Sequence, residues 1–488
     1  MEATGNPGAT LKANLRTLSC EATNRATWAR ALVYGATGLY AVVFAGAAVL
    51  RYLVFKSAHA DLGTMTQAVW STAHGDFLQV TTMAGRNTTR LGIHVDPFLA
   101  LLVPLWWLWS SPLMLSVVQA IGVSTGALPV YWLGRKHMHS ERAGVHFALA
   151  YLLLPATQFS AFTITSGFHP VSIAIPLILF AIWFLDEDRL AMFAVFALLA
   201  ASTKEEIPVA LGCLGIWYAV RKGKHITGAV IFGLGLALSL IDFLVVIPHF
   251  SPSGINPFVG RYEEVGGSAG GVAHKALTDP IAFAHAIFTP HKLLYLLLLL
   301  GPLLALWLLE PLLFLGAVPD LAINLLSSKS DQTSIPYHWT AGIMPFAVAA
   351  TIFGAARLKR NPDRVSLYVL TGAACIAIYS PIYLVRSDLS AWGSPARSAK
   401  VHAVDLVPSG APVSASNQLG GHLSARRYSF IFPTVGRASW IVLDRTDPTY
   451  RDTGGYLRAV HEIESSPSWE LRYSSHGVIV LRKRAGSR

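Results

Sequence analysis

The 488-residue chain is 53% hydrophobic and only 13% charged, with a net charge of +11. Soluble globular proteins carry about twice that charged fraction, so the composition excludes a soluble enzyme. Much of the Lys/Arg falls in short segments between apolar runs, so the positive balance reads as membrane topology, with no nucleic-acid partner.

Residues 1–27 are polar and lack an apolar core with a cleavage site; a disordered cytoplasmic tail is expected, not a cleaved signal peptide. Lys12, Arg16, Arg25 and Arg30 precede or open the first span, 31–55. They set the N-terminus inside, so the segment after this span emerges on the outer face. Residues 56–111 form the first outer loop. Leu62, Met65, Val69 and Trp70 recur at helical spacing there, which makes Asp61 the N-cap of an interfacial helix. The run 97–109 is apolar but short, with Pro104 inside it and Trp106, Trp107 and Trp109 near its end; it is expected to lie in the interface.

From there apolar stretches alternate with turns at 113–134, 143–163, 171–185, 190–203, 207–220 and 226–248. Basic or mixed charge marks the inner turns 135–142, 186–189 and 221–224. A Gly/Pro/Ser-rich outer loop is read at 249–290, and further spans at 292–309, 311–327, 339–356 and 366–384. Together this is a polytopic α-helical membrane domain, 28–385, of about eleven transmembrane helices. Residues 386–488 change character. Short β-rich runs at 427–432, 440–443 and 477–481 alternate with a helical one at 456–463, which reads as a small extracytoplasmic α/β domain. Cys20 lies in the polar tail and Cys213 and Cys375 in apolar runs, so no disulfide framework is placed.

Ionisable groups at the mouth of a span are costly unless used, which singles out Asp61 as the catalytic candidate. A carboxylate there either takes the proton of an acceptor hydroxyl or helps hold a metal. His94 and Asp96 close the same loop, and equally serve as a polar helix start. His59, His94, Asp96 and His169, with Asp61, are of the types that bind magnesium, manganese or zinc, although no short ligand pattern joins them. Lys204-Glu205-Glu206 places three charges at a membrane boundary, with the lysine suited to a phosphate and a glutamate to a sugar hydroxyl. Arg86 and Arg90 are further phosphate candidates, and Tyr337-His338-Trp339 offers an aromatic rim for a sugar or a headgroup. Asp320 and Asn324 stand one turn apart inside an apolar run. Soluble nucleotide chemistry has no supporting motif.

Two sets of residues carry a resemblance to known families. Asp61-Leu62-Gly63, Gln67-Ala68-Val69-Trp70, Ala73-His74-Gly75, 319–327 and 413–433 resemble the bacterial domain-of-unknown-function 2079 membrane family. His94-Val95-Asp96-Pro97-Phe98, the run Val130-Tyr131-Trp132-Leu133-Gly134-Arg135-Lys136 and Thr203-Lys204 resemble the N-terminal half of GT-C glycosyltransferases of the protein O-mannosyltransferase and aminoarabinose transferase type. The likeness implies a transferase in the cytoplasmic membrane with a polyprenyl-phosphate-linked sugar as donor. A cell-envelope polysaccharide, glycolipid or protein would be the acceptor on the outer face, with Asp61 as the activating acid. Such enzymes often carry a second acid beside the first; here Leu62 comes next. A lipid or glycan flippase would instead need polar residues deep in several spans and an internal repeat, and a non-catalytic scaffold would be indifferent to Asp61→Asn.

Overall fold

A computed structural model describes residues 7–82, 85–162, 167–450 and 452–486, with side chains from 26 onward except Ala269. The side chains of Cys20, Lys12, Arg16 and Arg25, and the turn residues Thr165 and Ser166, lie outside the described residues.

The chain is mainly helical. One helix runs Pro7–Leu53, so most of the stretch expected as a disordered tail has helical backbone; the apolar part is Ala26–Leu53. Among the described residues four helices are long and apolar enough to cross a membrane: Ala26–Leu53, Pro112–Met138, His225–Phe250 and Pro362–Trp392. A bent pair, Pro280–Ile287 with Pro290–Leu303, makes a fifth if counted as one span. The other expected crossings are shorter apolar helices such as Pro170–Asp186, Leu190–Ala201 and Met344–Arg357, or are broken. The run read as 143–163 divides into Glu141–Leu153 and Pro155–Ala161, because Pro155 cannot continue the helix before it. The 249–290 loop is also more regular than expected, holding helices at Ala269–Thr278 and Pro280–Ile287.

Local chemistry sets many of these starts. Pro112, Pro155, Pro170, Pro290 and Pro362 open helices, where proline's missing N–H costs nothing. Ser111, Ser140, Thr289 and Asn361 cap with a side-chain oxygen. Helices Ile207–Lys222 and His225–Ile241 pack backbone to backbone, since a Cβ on Gly215 would meet the Gly228 carbonyl at 2.3 Å. Small residues at such contacts let apolar helices approach closely.

Charged turns gather into two groups. In one group Lys136 lies 2.6 Å and Lys222 3.5 Å from Asp186, Arg221 lies 3.1 Å from Glu310, and Arg357 also pairs with Glu310. The other group brings together residues near 51–61, 90–96, 169, 204, 258–261 and 329–339 around one cavity.

The C-terminal region folds as a five-stranded sheet. A two-stranded ribbon in the first loop, β1 (Gln79–Val80) and β2 (Thr88–Thr89), precedes it in the chain. The sheet strands are β3 (Val413–Ala415), β4 (Ser429–Ile431), β5 (Trp440–Asp444), β6 (Trp469–Ser475) and β7 (Val478–Lys483), in order β4-β3-β5-β7-β6. β3 is parallel to β4 and β5, while β7 is antiparallel to β5 and β6. Helix Thr453–Ser465 packs Tyr456 and Val460 on the sheet's apolar residues. The boundary read at 385/386 falls inside helix Tyr383–Trp392, which continues the last apolar segment toward this domain. Arg51 and Lys56 close on Asp388 at 3.2 and 2.7 Å, and His422 stacks on Tyr52 and Phe55, so the domain is docked on the end of the first long helix.

Candidate functional site

Asp61 is not a helix N-cap. It lies in a π turn, His59–Gly63, ahead of helix Thr64–Ala73, and its side chain caps nothing. The turn closes with Gly63 N–H on the Ala58 carbonyl at 3.3 Å, and the Thr64 hydroxyl bonds the carbonyls of His59 and Ala60. Such one-turn widenings re-aim side chains and are frequent at functional sites. Here the widening turns the Asp61 carboxylate, 37% exposed, into a cavity.

The cavity holds about 650 Å³, and both Asp61 and Lys204 line it, although 143 positions separate them in sequence. His94, Asp96, His169, His338 and Arg90 line it too, so residues singled out in separate stretches of the sequence meet there. Arg90 Nε donates to Asp96 Oδ2 at 2.8 Å, and both are buried. The other oxygen, Asp96 Oδ1, is buried without a hydrogen-bond partner. A buried acceptor left unmet in a cavity wall calls for a ligand donor or a water. His169 Nε2 lies 3.8 Å from Asp61 Oδ2, and the His169 ring stacks on His338 at 3.6 Å. Burial pushes His169 down to about 4, the Asp61 charge opposing, so the imidazole is neutral at pH 7.

Lys204, Glu205 and Glu206 occupy the turn between helices Leu190–Ala201 and Ile207–Lys222, and all three are buried. Lys204 pairs with Glu206 and its ammonium sits 4.6 Å from the Trp339 ring centre. Glu205 Oε1 bonds His94 Nδ1 at 2.8 Å and Oε2 accepts the Val95 N–H at 3.1 Å, tying this turn to the first loop. Burial would raise Glu205, but His94 and Lys204 outweigh it and hold the carboxyl down at about 2. Glu206 goes the other way: burial, with the like charges of Glu205 and Asp320, lifts it to about 7 despite Lys204. Neither glutamate lines the main cavity; both face a neighbouring chamber of about 350 Å³ behind Lys204 and Trp339.

Several expectations are corrected. Arg86 is exposed and does not line the cavity. The expected metal ligands do not form a cage: His94 is bonded to Glu205 and Asp96 to Arg90. Among the described residues no three His, Cys, Asp or Glu converge as a metal would require. His59 is wholly buried against Ser429 and does not reach the cavity. Asn324 packs structurally, donating to Tyr295 and to the Trp339 carbonyl.

Other cavity residues lay outside the sequence reading. Arg261, from the 249–290 segment, sits over Phe258 at 4.1 Å and Trp339 at 5.5 Å, and Lys329 lies 5.9 Å from the same indole. Three cations therefore surround Trp339. From the C-terminal domain, Asn417, Gln418, Pro448 and Thr449 form another wall. Only tertiary structure joins these to Asp61; the aromatic-cation spacing of Phe258 and Arg261 was the one local signal. Beside the cavity lies an apolar groove of about 310 Å³ lined by Phe159, Leu294, Tyr295, Leu298, Ile335 and Ile376. The segment 331–339 borders both spaces.

A family model described as "Predicted membrane protein (DUF2079)" matches residues 51–480. No curated protein sequence matches the chain. The crystal structure of ArnT from Cupriavidus metallidurans bound to undecaprenyl phosphate aligns over 92% of this chain and 99% of its own, at 12% identity and TM-score 0.52. The apo-state structure of the same protein aligns over 92% and 98%, at 14% identity and TM-score 0.50. At such identity the likeness shows a shared fold.

Proposed function

The chain belongs to the DUF2079 family of predicted membrane proteins and shares the fold of ArnT, a GT-C glycosyltransferase, and we propose that it is itself a membrane glycosyltransferase of GT-C type. The donor is a polyprenyl-phosphate-linked sugar, and the acceptor is a hydroxyl of a cell-envelope glycan, glycolipid or protein. The reaction takes place on the outer face of the cytoplasmic membrane, with the N-terminus inside. The ArnT structure that holds undecaprenyl phosphate supports the donor class.

The observation that carries this reading is one cavity lined by Asp61 and by Lys204, Arg261 and Lys329, with an apolar groove at its side. The prenyl tail takes the groove, and the three cations around Trp339 take the phosphate. Asp61 accepts the proton of the acceptor hydroxyl as its oxygen attacks the anomeric carbon. The bond from that carbon to the phosphate oxygen breaks, and the leaving lipid phosphate keeps the electron pair against the cations. Neutral His169 packs beside Asp61 without competing as a cation.

Purified protein with polyprenyl-phosphate sugars tests the proposal. Transfer should fall by about 10²–10⁴ in Asp61→Asn, the range of a lost general base, and survive in Asn87→Gln, whose residue is exposed. Full transfer by Asp61→Asn overturns the assignment. Donor translocation across vesicles without transfer would favour the flippase.

A further inference from the structure

We infer that Asn417, in the C-terminal domain, is a positioning residue that holds the π turn carrying Asp61. The inference rests on Asp61 being the reacting carboxylate.

The first N–H groups of any helical turn lack partners within it. Ala60, immediately before Asp61, donates its N–H to Asn417 Oδ1 at 3.0 Å. The orientation of that amide is dictated from behind. The Thr449 hydroxyl spends its only hydrogen on Asp447 Oδ1, at 2.6 Å, so its oxygen can only accept. It accepts from Asn417 Nδ2 at 3.1 Å, which leaves Oδ1 to face Ala60. Asp447 is in turn buried and fixed by the N–H groups of Thr449 and Gln418, at 3.0 and 2.8 Å. A relay of four groups thus runs from the loop after β5 to the amide next to Asp61.

Two more contacts clamp the same turn from the same domain. His59 Nε2 lies 2.9 Å from Ser429 Oγ, and Gly420 sits so close that a Cβ there would meet His59 Nδ1 at 2.0 Å. The placement has a topological cause. β3 and β5 are parallel neighbours whose outgoing connections lead to opposite sides of the sheet, which opens a crevice at their carboxyl ends. Asn417 follows β3 and Asp447 follows β5, so the crevice that such sheets use for ligands here grips the neighbouring turn at the cavity rim.

Hydrogen exchange on the full chain in detergent, with transfer kinetics alongside, tests this. Asn417→Ala should speed exchange in the peptide 57–64 by about tenfold, the weight of one lost partly buried hydrogen bond, and leave 478–483 unchanged. Thr449→Val, which frees the amide to rotate, should produce the same change in smaller measure. In kinetics, Asn417→Ala should lower kcat about tenfold with KM for the donor unchanged, because misplacing a reacting group costs the chemical step. Unchanged exchange at 57–64 in both Asn417→Ala and Thr449→Val overturns the inference, as does a loss confined to KM. A wild type that transfers nothing overturns the glycosyltransferase reading instead, and the exchange result still decides whether Asn417 holds the turn.

Discussion

Replacing Lys204 by methionine keeps the length of the side chain and removes a buried ammonium that faces Glu206, Glu205, Asp320 and Trp339. The size of the effect follows from Glu206. Burial, with the like charges of Glu205 and Asp320, lifts its carboxyl from 4.5 to about 7 against the pull of Lys204. Because the folded value is raised, the native state binds more protons than the unfolded one between those limits, and stability falls as pH climbs through them. Without Lys204 the folded value rises further, so the falling limb extends past pH 7 by up to about 1.4 kcal/mol for each added pH unit. Loss of the contact with Trp339 adds about 0.5–2 kcal/mol that does not depend on pH. Thermal unfolding in detergent from pH 5 to 9 measures both parts. Lys204→Met should lose little near pH 5 and progressively more above 7, and adding Glu206→Gln should flatten the curve. A penalty equal at pH 5 and 9, or a double variant as pH-dependent as the single one, would refute the reasoning.

Arg90→Ala strands a buried Asp96 and should destabilise the protein by about 3–5 kcal/mol, whereas the pair Arg90→Leu with Asp96→Leu should cost much less; melting curves compare them. Gly420→Ala forces a methyl into the His59 ring, and overpacking of that kind costs about 1–3 kcal/mol. Faster protease cleavage between the helical part and the C-terminal domain is the expected readout. His169 is held down at about 4, so the folded state binds fewer protons than the unfolded one between 4 and 6.5. Its contribution to stability is therefore lost as pH falls from 6.5 to 4, and His169→Gln should melt with a weaker acid dependence over that interval.

The sequence carried the layout of this protein better than its details. Turns that the sequence marks by charge come together: Lys136 and Lys222 on Asp186, and Asp61, His94 and Lys204 around one cavity. Runs of β-branched and aromatic residues marked β5 and β7, while three-residue β3 was too short to show a period. Asp61 looked like a cap because acids favour that position; the π turn depends on the C-terminal domain and left no local trace. Arg261 and Lys329 converge on Trp339 from separate loops; Arg261 had Phe258 three positions before it as a local companion, and Lys329 had none. Arg426 is buried, donating to the Ala411 carbonyl, and neither it nor Arg427 lines the cavity.

The clamp on the π turn spans most of the gene's length: Ala60 and Asn417 are 357 positions apart, and His59 and Ser429 are 370. At the usual pace of synthesis, about 5–20 residues each second, Asp61 exists for some tens of seconds before its support has been made. Insertion into the bilayer is then well advanced while Asp61 still rides an untethered turn. A ribosome that stops early releases a chain whose Asp61 turn never gains that support.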